Sequence, residues 1–142
     1  MSDVGSFSRL APSAAQLPVH AYFDESVLRQ ELASCFKYGP GYVGHSAMVP
    51  ELGSFSTLAH EDHGRVLVNN PEGIQLLSNI CRHRQAVMLE GQGQTDAIVC
   101  PLHRWTYDLK GDLIGAPHFA KDPCRHLKNY PLSNWNGLLF EG

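Results

Sequence analysis

The chain has 142 residues, 43% of them apolar and 18% charged, with 11 basic against 14 acidic side chains and a formal charge of -3. A single domain of this length withdraws roughly two thirds of its unfolded surface from water, so a core is available without disulfides or metals, and any metal is expected to be functional. No run approaches the ~20 apolar residues of a membrane helix, residues 1–10 lack the layout of a secretory signal, and no basic run offers a nucleic-acid footprint; a soluble, cytoplasmic protein that binds neither membrane nor nucleic acid is expected.

Residues 1–20 are rich in Ser, Ala and Pro and read as an extended arm. From Asp24 a helical pattern begins. Val27, Leu28, Leu32, Cys35 and Phe36 recur at spacings of three and four, with Asp24 as N-cap and Gly39 as stop, so Cys35 is expected in the apolar interior. After Pro40 the pattern changes to strand-length runs at residues 42–45, 54–58, 65–69 and 74–78, separated by Gly, Pro and Asn turns. Further runs follow at residues 97–100, 106–109, 113–114 and 138–141, with Lys110-Gly111 as a tight hairpin turn. The predicted fold is mainly β, made of small antiparallel sheets preceded by one α-helix.

Chemistry concentrates in Cys81-Arg82-His83 and Cys100-Pro101-Leu102-His103, sixteen residues apart. Each half pairs a soft thiolate with an imidazole and sits at a strand end, so two loops can offer two sulfurs and two nitrogens. The four suit one tetrahedral zinc, or two sulfide-bridged irons with both cysteines on one and both histidines on the other. The single residue between Cys81 and His83 is cramped for chelating one ion, which favours the two-iron arrangement.

This spacing resembles that of a Rieske [2Fe-2S] centre. Asn79-Ile-Cys-Arg-His-Arg84 and Cys100-Pro-Leu-His-Arg-Trp-Thr-Tyr-Asp-Leu-Lys-Gly111 are similar to the Rieske domain at the N-terminus of ring-hydroxylating oxygenase large subunits. The resemblance runs from about Leu17 through Tyr42-Val-Gly-His45 and residues 50–53 to Trp135-Asn-Gly-Leu-Leu-Phe140. It implies a Rieske domain over residues 21–142, with one [2Fe-2S] cluster held by Cys81, His83, Cys100 and His103. It also implies a reductase or ferredoxin as electron donor, a catalytic non-haem iron domain that residues after His126 do not supply, and a homotrimer in the full-length protein. The chain alone is then expected to shuttle one electron and oxidise no organic substrate.

Two departures stand out, since Gln85 and Arg104 occupy positions where such domains usually have glycine, so their side chains are expected to point outward. Backbone N–H groups of Arg84, Gln85, Arg104 and Trp105 are the expected donors to the cluster sulfurs. High-potential relatives resemble C-x-H-x-x-C with C-P-C-H-x-S. Here Leu102 and Trp105 stand at the extra cysteine and the serine of the second loop, so a potential near the bottom of the usual range of about -150 to +300 mV is expected.

Arg82, Arg84 and Arg104 read as a docking collar for an acidic partner or for the catalytic domain. Trp105 reads as a cover over the cluster. Tyr107 reads first as a strand core residue, with a reach of its hydroxyl to a cysteine sulfur as the less expected alternative. Cys124 reads as a loop thiol, and His60 and His63 as parts of a solvated turn. Two further functions compete with the oxygenase domain: a free-standing Rieske ferredoxin, and a structural zinc module, which colourless protein with one zinc per chain would reveal.

Overall fold

The computed structural model describes residues 17–121 and 123–142, so most of the expected arm lies outside the described residues. Two compact units divide at Gly39/Pro40. In the first, a 3-10 turn at Val19–Tyr22 leads into helix α1, Glu25–Glu31. Asp24 is the N-cap, its Oδ1 accepting from the Ser26 N–H at 2.7 Å and the Ser26 hydroxyl at 2.6 Å. The helix then widens into a π-turn at Leu32–Phe36. Gly39 closes it by donating its N–H to Cys35 O, and a Cβ at Gly39 would lie only 2.6 Å from that oxygen. None of the residues of α1 or the π-turn is buried. Cys35 is therefore exposed, against expectation. A spacing of three and four marks an apolar face, but α1 runs only two turns before the hydrogen-bonding pattern changes, and a face is not by itself a core.

Among the described residues, the second unit is built from eleven strands in three antiparallel sheets. Strands β1 (Gly41–His45), β10 (Leu132–Trp135) and β11 (Leu138–Glu141) form one sheet in the order β1-β11-β10. Strands β2 (Ser54–Thr57), β3 (Arg65–Asn70), β4 (Gly73–Ser78), β5 (Gln92–Gln94) and β9 (Asn129–Tyr130) form the second, in the order β5-β2-β3-β4-β9. The third consists of β6 (Ile98–Val99), β7 (Thr106–Tyr107) and β8 (Leu113–Gly115). The mainly β fold is as expected. The β7–β8 connection is wider than a two-residue turn: Asp108 Oδ1 accepts from the N–H groups of Lys110 and Asp112, and Gly111 takes φ of +92°.

The central strand β3 is apolar on both faces, as a strand covered on both sides must be. Val66 and Val68 join one buried cluster with Leu77, Ile98, Trp105, Tyr107, Leu113 and both Cys81 and Cys100. Leu67 points the other way, into a cluster with Val43, Val49, Leu58, Leu76 and Leu139. The two cysteines are thus members of the main core, and the loops that carry them grow directly out of it.

Arg65, at the start of β3, fastens the sheets together. Its Nε donates to Glu61 Oε2 at 2.6 Å, its two Nη groups donate to Glu61 and to Glu141 on β11, and it lies 5.0 Å over the Tyr130 ring on β9. Arg65 holds the Glu61 carboxyl below the usual range through that hydrogen bond, while Glu61 and Glu141 push the guanidinium upward.

Candidate metal centre

Two loops of the same construction carry the cysteines. At residues 81–86, Cys81 N–H donates to Ala86 O at 2.8 Å and Gln85 N–H returns to Cys81 O at 2.9 Å. At residues 100–105, Cys100 N–H donates to Trp105 O at 2.8 Å and Arg104 N–H returns to Cys100 O at 3.0 Å. Each loop closes a strand-like pairing, Ile80 with Val87 in the first and Val99 with Thr106 in the second. In both, the fifth residue is left-handed, with φ of +60° at Gln85 and at Arg104. Their side chains are exposed, as expected. Their N–H groups donate to the cysteine carbonyls. Closing the turn takes these donors because an i+4 N–H has its nearest acceptor in its own loop.

The loops are pinned from outside. Asn79 is fully buried, and its side chain donates to His63 O at 2.8 Å and Leu89 O at 2.7 Å while accepting from Leu89 N–H at 3.0 Å. Its carbonyl accepts from Met88 N–H, and its own N–H donates to Gly64 O. Every side-chain and backbone polar group of this buried residue therefore has a partner, which a polar residue in the core requires. In the sequence Asn79 is marked only by its place in the motif, two residues before Cys81. His63, expected as solvated, also has partners: its Nδ1 meets Thr57 Oγ1 at 2.8 Å.

From β7, the Tyr107 hydroxyl lies 3.6 Å from Cys81 Sγ and accepts the Arg82 N–H at 3.1 Å. Tyr107 is both the core residue first expected and the less expected sulfur neighbour. Trp105 is 1% exposed, and the His83 ring stacks on it at 4.9 Å with planes 8° apart. The cover over the loops is therefore part of the core. Phe119 meets both rings edge-on, at 5.2 Å from Trp105 and 5.9 Å from His83. His103 lies 4.7 Å from His83, ring to ring.

Burial pushes the Cys81 thiol up, the neighbouring Cys100 adds to the rise, and the His83 N–H and Tyr107 hydroxyl oppose it. Burial is also the main cause that lowers His83, helped by His103, Arg84 and Arg125. The thiols lie inside, His83 is half-buried and His103 exposed. His83 Nδ1 and Trp105 Nε1 are two of the three buried side-chain polar atoms without a partner among the described residues. A buried nitrogen lone pair beside two buried thiols is what a thiophilic cation satisfies, so these residues fit an iron–sulfur group. Among the described residues, no three His, Cys, Asp or Glu side chains converge on a single ion.

Fold and loops define a β domain that presents paired cysteine–histidine loops to an iron–sulfur centre. The family model for the Rieske [2Fe-2S] domain matches residues 40–131, and the chain belongs to that family, which carries one [2Fe-2S] cluster per domain. Putrescine 2-hydroxylase of Ralstonia nicotianae is 62% identical over 142 residues, all of this chain and 39% of the relative. Putrescine 2-hydroxylase of Bordetella bronchiseptica is 47% identical over 157 residues, again all of this chain and 36% of the relative. The chain thus spans less than two fifths of the length of these relatives. Among solved structures, naphthalene 1,2-dioxygenase from Rhodococcus sp. shares the fold with a TM-score of 0.68 at 24% identity, over 98% of this chain and 32% of that one. Among the described residues no helix is long and apolar enough to cross a membrane.

Proposed function

We propose that Cys81 and Cys100 hold one iron and His83 and His103 the other, and that the chain is the electron-relaying Rieske domain of a non-haem iron hydroxylase large subunit. The observation that carries this reading is the pairing of two like-built loops that set two buried thiols beside an unpartnered buried imidazole nitrogen. When bound, the cluster supplies one electron at a time at a potential set by its two neutral ligands and the hydrogen bonds to its sulfurs. The chain's residues do the rest. The Tyr107 hydroxyl and the His83 N–H approach Cys81 Sγ, Trp105 fixes the His83 ring and excludes water on its inner side, and exposed His103 marks the outer face through which a neighbouring site is reached.

The full-length protein is proposed to join this domain to a mononuclear iron domain, to accept electrons from a reductase or ferredoxin, to assemble as a trimer in the cytoplasm, and to hydroxylate a short aliphatic diamine. The diamine rests on the names of the two relatives above. Iron and sulfide analysis with EPR of the reduced chain tests the cluster: two irons and two sulfides are expected, and Cys81→Ala should abolish the visible band. Colourless protein with one zinc would sink the assignment. The full-length protein assayed with putrescine and with aromatic acids tests the substrate; turnover of aromatic acids alone would remove the diamine. A chain that passes electrons to a separate oxygenase without its own catalytic half would instead be a free-standing ferredoxin.

A further inference from the structure

The rings that meet His83 arrive by a short route through the third sheet. Trp105 leads into β7, and β7 pairs with β8, Thr106 with Gly115 and Tyr107 with Leu113. From β8 the chain enters a turn at residues 116–119, closed by the Phe119 N–H donating to Ala116 O at 3.1 Å. Pro117 stands second in this turn and His118 third, with φ of +69°. Proline followed by a left-handed residue is the layout of a type II turn, whose third place favours glycine or asparagine. A histidine is held there because the turn is anchored at its root, where Ala116 packs on the main core cluster. The turn delivers Phe119 to the stacked pair. Trp105 and His83 lie 8° from parallel, and Phe119 stands perpendicular to both, at 85° and 88°, with its centroid 5.2 Å from Trp105 and 5.9 Å from His83. Stacked and perpendicular contacts are the arrangements that aromatic quadrupoles favour. The loop that carries His83 is held on another side by Arg125, whose Nη1 donates to Arg82 O at 3.2 Å. His103 has no such enclosure: it is exposed, and among the described residues the His83 ring is the only one that meets it.

We propose that Phe119 is a positioning residue that clamps the His83 imidazole onto Trp105, fixing one of the two imidazole ligands in a single orientation. The proposal rests on the cluster assignment above and adds to it the residue that orders one ligand. A histidine side chain has two rotatable bonds, and Trp105 restrains the ring from one face only. A perpendicular ring that touches both partners removes the orientations in which the imidazole slides off the indole. A ligand held in its bonding rotamer by neighbouring side chains returns to its iron after each excursion, and so releases it more slowly. Phe119 is 48% exposed, so this restraint is exerted from the surface and its removal leaves the buried clusters intact.

The cluster-loaded chain, reduced with dithionite, is mixed with bathophenanthroline, and the coloured iron complex gives the rate of iron loss. Pulsed EPR of the same reduced sample gives the nitrogen couplings of the two imidazoles. Phe119→Ala should lose iron about fivefold faster than the parent, and one of the two nitrogen couplings should spread over a wider range while the other keeps its width. Phe119→Tyr, which keeps the ring, should match the parent in both readouts. Phe119→Leu keeps apolar bulk without the ring and should fall between Phe119→Ala and the parent. Ile114 is 62% exposed and lines one pocket with Phe119, so Ile114→Ala removes a comparable surface side chain and should leave both readouts at parent values.

Parent values in Phe119→Ala or in Phe119→Leu overturn the proposal, and Phe119→Leu decides alone where Phe119→Ala fails to load a cluster. Two nitrogen couplings that broaden together, or an Ile114→Ala variant that loses iron as fast as Phe119→Ala, assign the effect to general loosening of the segment and overturn the clamp. A parent chain without the reduced EPR signal overturns the cluster assignment instead, an outcome that a change confined to the Phe119 variants cannot mimic.

Discussion

Tyr107 puts a hydroxyl 3.6 Å from Cys81 Sγ, and a donor at that sulfur stabilises the more negative, reduced state of a centre bound there. A hydrogen bond of this kind contributes roughly 1 kcal/mol, which for one electron is about 40 mV. Tyr107→Phe should therefore lower the midpoint by about that much from a parent value near the bottom of the Rieske range, as an EPR-monitored redox titration would read. An unchanged potential would uncouple the hydroxyl from the centre. At this scale the residues proposed as ligands stand out in the sequence because few side chains bind iron, and their spacing is short. Their supports do not. Arg125 lies 43 residues from the carbonyl it reaches, and Tyr107 26 from its sulfur, so only the fold brings them in.

Strands with an apolar alternation were legible, and β1 to β4 fall within a residue or two of the predicted runs. Strand β5 was missed because Gln92-Gly-Gln94 has no apolar residue and lies exposed, held by pairing with β2. Strands β9 and β10 were missed for a related reason, the first being two residues long and the second largely exposed. The ion pairs at Arg65 were also invisible: Glu61 looked like a solvated turn residue, whereas its side chain is 27% exposed beside an arginine that is 17% exposed. Arg65→Met would leave Glu61 and Glu141 without their cation and should destabilise the fold by about 2 kcal/mol at neutral pH. Because the Glu61 carboxyl is lowered in the fold, its contribution is present above the unfolded carboxyl value of about 4.3 and is lost as pH falls through the lower folded one. Thermal melts between pH 3 and 7 should show a steeper acid loss in the parent than in Arg65→Met; parallel profiles would remove Arg65 as the cause.

The whole molecule divides at Gly39/Pro40, and the family match begins at residue 40. All buried apolar residues among those described lie from Val43 onward. Residues 40–142 expressed alone should therefore fold and retain the visible band and reduced EPR signal of the full chain; loss of both would show that the first unit is needed for the second. The change of pattern after Pro40 was legible, because helical spacing and strand alternation differ in period. One feature of the second unit reaches further than shape. Asn79, with each of its polar groups partnered inside the core, ties the root of the first cysteine–histidine loop to residues 63 and 89 by contacts between polypeptide groups. In small zinc modules the ion and the fold arrive together. Here those contacts should let polypeptide folding and cofactor delivery be separate events: the chain prepared without iron is expected to keep the far-UV circular dichroism of the loaded one, and an unfolded apo form would show that the cluster is needed for the fold.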